Sequence, residues 1–297
     1  MSGELNYLLQ LLVSGISVGS IYAVIGMGFV VIYKATKILN FAHGEILMVA
    51  VYFCFTLIEN FHLNFFVALF LTLAFCATLG ILLERFIFRP MIGEPVFAIV
   101  MITLGLSIIL RPLTGVLFGF GDVMFPSPFP KDPIAFSNII ISHAHLWTLI
   151  VSCLVMIIFF LFFKYSKVGI AMRAAADRPI IAFLMGINVK NIYSLSWAIA
   201  ATSAGIAGIL LANVLVVNLN LSFVAIKVFP AIVLGGMDSI VGALIGGLII
   251  GIFETFVGGY LDFYLSGVKE ISTYILLFVI LVVRPYGLFG TEEIERV

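Results

Sequence analysis

Residues able to do chemistry are scarce in this chain, and most sit inside apolar runs. Glu254, in Gly251-Ile-Phe-Glu-Thr255, is the best candidate for a deep carboxylate. Gly258 and Gly259 follow it and set it near a helix end, where it could reach water. An ionisable residue within a membrane helix is a functional candidate by default, with an ion-coupling role as the sharp reading. The bland reading is structural hydrogen bonding or an interfacial position. Gly119-Phe-Gly-Asp122 has the GxGD form used by intramembrane aspartyl proteases, whose chemistry needs a second aspartate facing the first. Asp262 is the one companion, and both fall in connecting loops, so the match reads as coincidence. In Asn40-Phe-Ala-His-Gly-Glu45, Asn40 can cap the helix that follows, and Glu45 near its start complements the helix dipole. A gating or pathway role for Asn40, His43 and Glu45 is the alternative. Arg111, followed by Pro112, fits a side chain snorkelling to the interface from the external end of its span, or else a carboxylate-binding group. Cys54, Cys76 and Cys153 are scattered through apolar runs with no CxxC spacing, so they read as buried small residues rather than reactive thiols, disulfides or metal ligands. No catalytic and no metal site is expected. No GxxxxGK[ST] loop is present to cradle nucleotide phosphates, so any ATP chemistry must reside on another chain.

One polar stretch stands apart: Arg173-Ala-Ala-Ala-Asp-Arg-Pro-Ile-Ile-Ala-Phe-Leu-Met-Gly-Ile-Asn188. It reads as a short helix that stops near Gly186. Ile180, Ile181 and Leu184 give it one apolar face, flanked by basic residues. Such a helix can insert into a partner's groove, or it can pack on its own spans or lie on the lipid surface.

The elements that must position these residues are membrane helices. Of 297 residues, 63% are hydrophobic and 10% charged, and the net charge is zero. Mean hydropathy is +1.26. A soluble domain carries roughly 25% charged residues, so the missing polar surface must face lipid or partner subunits. Runs such as Leu146–Phe163 do not alternate in polarity, which excludes a β-barrel. Nothing in the charge points to nucleic acid. The N-terminus has no basic region before its long first apolar run, so no signal peptide is expected there. Apolar segments run from about Tyr7 to Tyr33, Gly44 to Ile58, Phe65 to Leu83, Val96 to Leu117, Leu146 to Phe163, Ile192 to Leu215, Phe223 to Met237, Ile240 to Val257 and Ile271 to Val283. This predicts an all-α polytopic bundle of about eight or nine membrane segments, forming a single domain over 1–297. Gly15 and Gly19 have the small-xxx-small spacing that lets helices approach closely. The second and seventh segments are short, and the seventh carries Pro230, as in the broken helices of transporters. Simple tilted helices are the alternative.

Basic residues mark the cytoplasmic side. Lys164, Lys167, Arg173, Arg178 and Lys190 share the loop at about 164–191 with one acid, Asp177. Lys34, Lys37, Arg85, Arg89, Arg284 and Arg296 fall on the same side, and Lys131 and Lys269 on the other. Pro126, Pro128, Pro130 and Pro133 make the external loop at about 118–145 a stiff, extended segment.

Five stretches together resemble one family. They are Gly15-Ile-Ser-Val-Gly-Ser-Ile-Tyr-Ala23, Ile38-Leu-Asn-Phe-Ala-His-Gly-Glu45, Arg173 to Asn188, Val233-Leu-Gly-Gly-Met-Asp-Ser-Ile-Val-Gly-Ala243 and Val283-Arg-Pro-Tyr-Gly-Leu-Phe-Gly290. In order and extent the chain resembles the branched-chain amino acid ABC transporter permeases, of the LivH-type subunit. Permeases for urea and short-chain amides share several of these stretches. An ATP-independent secondary transporter is the rival class. The resemblance implies a multi-pass protein of the bacterial inner membrane. It implies a LivM-type second permease, two ABC ATPase subunits that hold ATP and Mg, and a periplasmic substrate-binding protein. It also implies that Ala174, Ala175, Ala176, Asp177, Ile180, Ile181, Leu184 and Gly186 belong to a coupling helix like the Glu-Ala-Ala loop that docks on the ATPase. This chain departs from that pattern, with Ala174 following Arg173 where a glutamate is usual.

Overall fold

The computed structural model describes residues 2–130, 132–136, 139–284 and 286–290. Lys131, Pro285 and Arg296, which entered the sequence reading, lie outside the described residues. The described chain is all-helical apart from one short ribbon, and it is a multi-pass bundle. The helices are α1 (Ser2–Thr36), α2 (His43–Glu59), α3 (Phe65–Leu83), α4 (Val96–Phe118), α5 (His143–Tyr165) and α6 (Lys167–Asp177). They continue as α7 (Pro179–Leu184), α8 (Val189–Ala212), α9 (Phe223–Gly235), α10 (Ile240–Leu261) and α11 (Val268–Val283). Strands β1 (Ile134–Phe136) and β2 (Ile139–Ile141) pair antiparallel within the proline-rich connection. All nine apolar segments are helices. Six of these helices are long and apolar enough to cross a membrane, while α2, α9 and α11 have 17, 13 and 16 residues.

The chain divides into two compact units, one of residues 1–26, 129–156 and 227–297, the other of residues 27–128 and 157–226. In the first, α1 and α10 meet along glycines. A Cβ on Gly251 would strike the backbone of Gly19, and one on Gly19 would lie 2.9 Å from Leu248 Cα. Apolar burial does not hold helices together in lipid, so small residues that allow backbone contact do that work. The same logic joins α9 to α10, where Gly235 faces Gly242 and Gly246 faces the Ala231 carbonyl. Gly236, at φ +100°, turns the chain, and the Ser239 side chain accepts from Gly242 N at 3.0 Å to cap α10. After α11 the chain hooks back: Leu288 N and Phe289 N donate to the Leu234 and Gly235 carbonyls at 2.7 and 3.1 Å. These two bonds satisfy carbonyls that α9 leaves open at its C-terminus.

In the second unit α8 packs against α2 and α3. It is rich in Ala, Ser and Gly and is buried over most of its length. Gly208 lies against Leu47 and Val51, Gly205 against Cys76, and Gly80 against the Trp197 carbonyl. Trp197 stacks on Phe88 with ring centroids 4.2 Å apart, and Phe53 stacks on Phe75 at the same separation. Cys54 and Cys76 are buried as expected, whereas Cys153 is exposed on an outward face of α5. Ahead of the prolines, Val123 bridges Val217 antiparallel.

Three local expectations need correction. The single helix expected over 173–186 is two, α6 and α7, broken at Arg178 (φ −141°, ψ 85°). The ring of Pro179 disfavours helical geometry in the residue before it and suits the first position of a new helix. Gly186, at φ +86°, provides the expected stop. Asn40 does not cap α2: the N-cap is Ala42, and Asn40 Oδ1 instead accepts from Ala42 N at 3.1 Å in a turn. Glu254 is not at a helix end, since α10 continues to Leu261.

Candidate functional site

The basic loop forms a platform of two short helices that carries an apolar face. Ser166 caps α6 by accepting from Gly169 N at 2.8 Å. Gly169 has no side chain because the backbone of Phe162 and Phe163 lies against it. One α6 side chain reaches back, and Arg173 Nη1 donates to the Phe163 carbonyl at 2.6 Å. A guanidinium there meets the carbonyls and the negative dipole end of α5, which pins α6 to α5. Ala175 and Ala182 are buried, while Ala174 and Asp177 are exposed and Ala176 is half-buried. The opposite face of α7 and its end point outward: Ile180, Ile181, Phe183, Leu184 and Met185 range from 47% (Ile181) to 79% (Met185) exposed. The face read from Ile180, Ile181 and Leu184 therefore does not pack on the spans of this chain. Phe183 and Met185 extend it. They belong to the same apolar run, but their side of the helix could not be assigned without knowing what lies behind Ala182.

A second cluster lies inside the bundle. The connection at 37–42 is irregular, with Ile38, Asn40 and Ala42 buried, and Thr103 Oγ1 of α4 donates to the Leu39 carbonyl at 3.4 Å. Non-helical backbone at membrane depth is tolerated only where protein covers it or where it lines a cavity. Gly44 then passes against the Ser222 carbonyl. His43 is fully buried, 4.5 Å centroid to centroid from Phe29, and both it and Ser203 lie against Gly28. Glu45, in the first turn of α2, accepts from Arg111 Nη2 at 2.9 Å. The Arg111 guanidinium lies 3.9 Å from the Phe223 ring centroid. Arg111 thus faces inward to a carboxylate and does not snorkel. Its partner is 66 residues away, so Pro112 and the nearby helix end were misleading local cues.

A third group was absent from the sequence reading. Glu84, 1% exposed, sits in a π-helical turn (Glu84–Phe88) that continues α3. Arg89 holds it with two parallel bonds, Nε to Oε1 at 2.9 Å and Nη2 to Oε2 at 2.7 Å, and Ser194 Oγ donates to Oε2 at 2.6 Å. Residues five apart do not share a face of an α-helix, and only the wider π turn brings these two together. The clamp ties the end of α3 to the start of α8.

In the other unit Glu254 is 2% exposed, accepts from the Tyr22 hydroxyl at 2.7 Å and lies 3.9 Å from Lys269 Nζ. Its position supports the hydrogen-bonding role. Asp122 is exposed and outside any helix, and Asp262 accepts from Gly267 N in the α10–α11 turn, so neither is set in the apolar interior that the GxGD chemistry needs. Among the described residues no group of three potential metal ligands converges.

Comparison with known proteins identifies the family. A family model described as "Branched-chain amino acid transport system / permease component" matches residues 11–284. The high-affinity branched-chain amino acid transport system permease protein LivH of Salmonella typhimurium is 34% identical, covering 100% of both chains. The permease protein BraD of Pseudomonas aeruginosa is 34% identical, covering 99% of both. A probable LivH permease of Methanocaldococcus jannaschii is 28% identical over 95% of this chain and 93% of its own length. On the match over nearly the whole chain, this chain is a member of the branched-chain amino acid transport permease family.

Proposed function

We infer that this chain is the membrane-spanning permease subunit of an ABC importer for branched-chain amino acids, seated in a bacterial inner membrane and acting as one permease domain. The observation that carries the coupling half of this reading is the outward apolar face of α7, set on a platform pinned by Arg173. A short helix with five exposed apolar side chains, in a loop with five basic residues, suits a groove in a partner. The partner is an ATPase. Two such subunits bind ATP with Mg, and ATP binding and hydrolysis there supply the motion. This chain contributes the α6–α7 segment, with Ala174, Ala175, Ala176, Asp177, Ile180, Ile181, Leu184 and Gly186, that receives it. Because Arg173 fixes α6 to α5, displacement of the docked helix is passed to a membrane span. A LivM-type permease completes the translocation path, and a periplasmic protein delivers the amino acid to the external loops. The chain has no catalytic role of its own.

The test is reconstitution in proteoliposomes of this chain alone and with its partner subunits. Leucine uptake that requires ATP, the ATPases and the binding protein is expected. ATP-independent uptake by this chain alone would overturn the reading.

A further inference from the structure

We propose that Arg111 and Glu45 form a binding site for the zwitterionic head of an α-amino acid on the translocation path; this rests on the permease reading above. The unit of residues 27–128 and 157–226 holds two Glu–Arg pairs, and they differ in kind. The Glu84–Arg89 pair is closed: the guanidinium fork meets both carboxylate oxygens, and Ser194 adds a further donor. The Glu45–Arg111 pair is held through Arg111 Nη2 at 2.9 Å, and the buried Arg111 Nε has no partner among the described residues. The guanidinium has five donors, so this one keeps the capacity for a second carboxylate.

Position argues the same way. Arg111 lies seven residues before the end of α4, about 10 Å inside the helix at 1.5 Å per residue. Its side chain is 28% exposed there, whereas that of Glu45 is 3% exposed. A partly exposed cation at that depth faces water or a polar partner, since lipid would be costly. Phe223 covers one face of the guanidinium at 3.9 Å.

Charge balance selects the ligand. The pair is neutral, and so is an amino acid zwitterion. A carboxylate can take the spare donors of Arg111 while the ammonium takes Glu45, so every charge keeps a partner. An amine without a carboxylate leaves Arg111 bare, and an acid without an ammonium leaves Glu45 bare, which a buried site disfavours.

The test measures binding of leucine, isoamylamine and 4-methylpentanoate to the assembled permease–ATPase complex in nanodiscs, without the binding protein. The wild-type complex should favour leucine over either analogue at least tenfold. Arg111→Gln should cut leucine binding at least tenfold and erase its advantage over isoamylamine. Glu45→Gln should erase its advantage over 4-methylpentanoate. Arg111→Lys keeps the charge without the fork; it serves where the neutral variants fail to assemble, and should weaken leucine binding but not isoamylamine binding. Unchanged leucine binding in an assembled variant, or equal loss of all three ligands in Arg111→Lys, overturns the proposal. A wild-type complex that does not transport leucine at all fails the permease reading instead.

Discussion

Replacing Ile180 and Leu184 together by alanine separates docking from folding. The two side chains are 76% and 77% exposed in the chain by itself. Full burial of such a side chain is worth about 1.5–3 kcal/mol, so covering the exposed three-quarters gains about 1–2 kcal/mol for each. The double variant then loses about 2–4 kcal/mol of docking energy, a weakening of roughly 30- to 700-fold at 1.4 kcal/mol per decade. The fold of the chain should hardly respond, because substitutions at exposed sites shift stability by only about 0.5 kcal/mol. The assay has two parts: thermal unfolding of the purified variant in detergent, and capture of the tagged ATPase from solubilised membranes. An unchanged melting temperature with lost capture and lost leucine uptake is expected. Wild-type capture would refute the docking argument. A large fall in melting temperature before any partner is added would show that the face is internal.

Three further outcomes follow from the packing. Gly251→Leu should prevent α1 and α10 from meeting at Gly19 and abolish folded protein on size-exclusion chromatography, whereas Gly105→Ala, with nothing near its new methyl, should be neutral or stabilising by up to about 1 kcal/mol. Arg89→Ala leaves Glu84 buried without its cation and should cost about 3–5 kcal/mol, read as a fall in thermal stability; Ala at both positions should cost less than Arg89→Ala alone. Tyr22→Phe removes a hydrogen bond to the Glu254 carboxylate and should cost about 1.5–3 kcal/mol in the same measurement, with leucine uptake by the intact complex retained if Glu254 is structural.

The sequence by itself determined the long apolar helices. The segment read as Phe65–Leu83 is helical over the same residues, and the start at Val96 and the stop at Gly186 also match. The reason is local. In lipid each backbone group must be satisfied within its own segment, so a run of consecutive apolar residues is enough to specify a helix. Gly15 and Gly19 likewise announced a close contact, although Gly251 as the partner did not follow from spacing. Side-chain partners were decided by the tertiary structure alone. Arg111 meets Glu45 across 66 residues, Glu254 meets Tyr22 across 232, and Arg89 meets Glu84 only because α3 widens into a π turn. Each pairing depends on which helices lie side by side, and no window along the chain contains that information. The docking face shows both halves at once. The apolar residues of Ile180–Leu184 were legible as a face, but its outward direction was fixed by Ala175 and Ala182 turning inward, a choice made by packing against the rest of the unit.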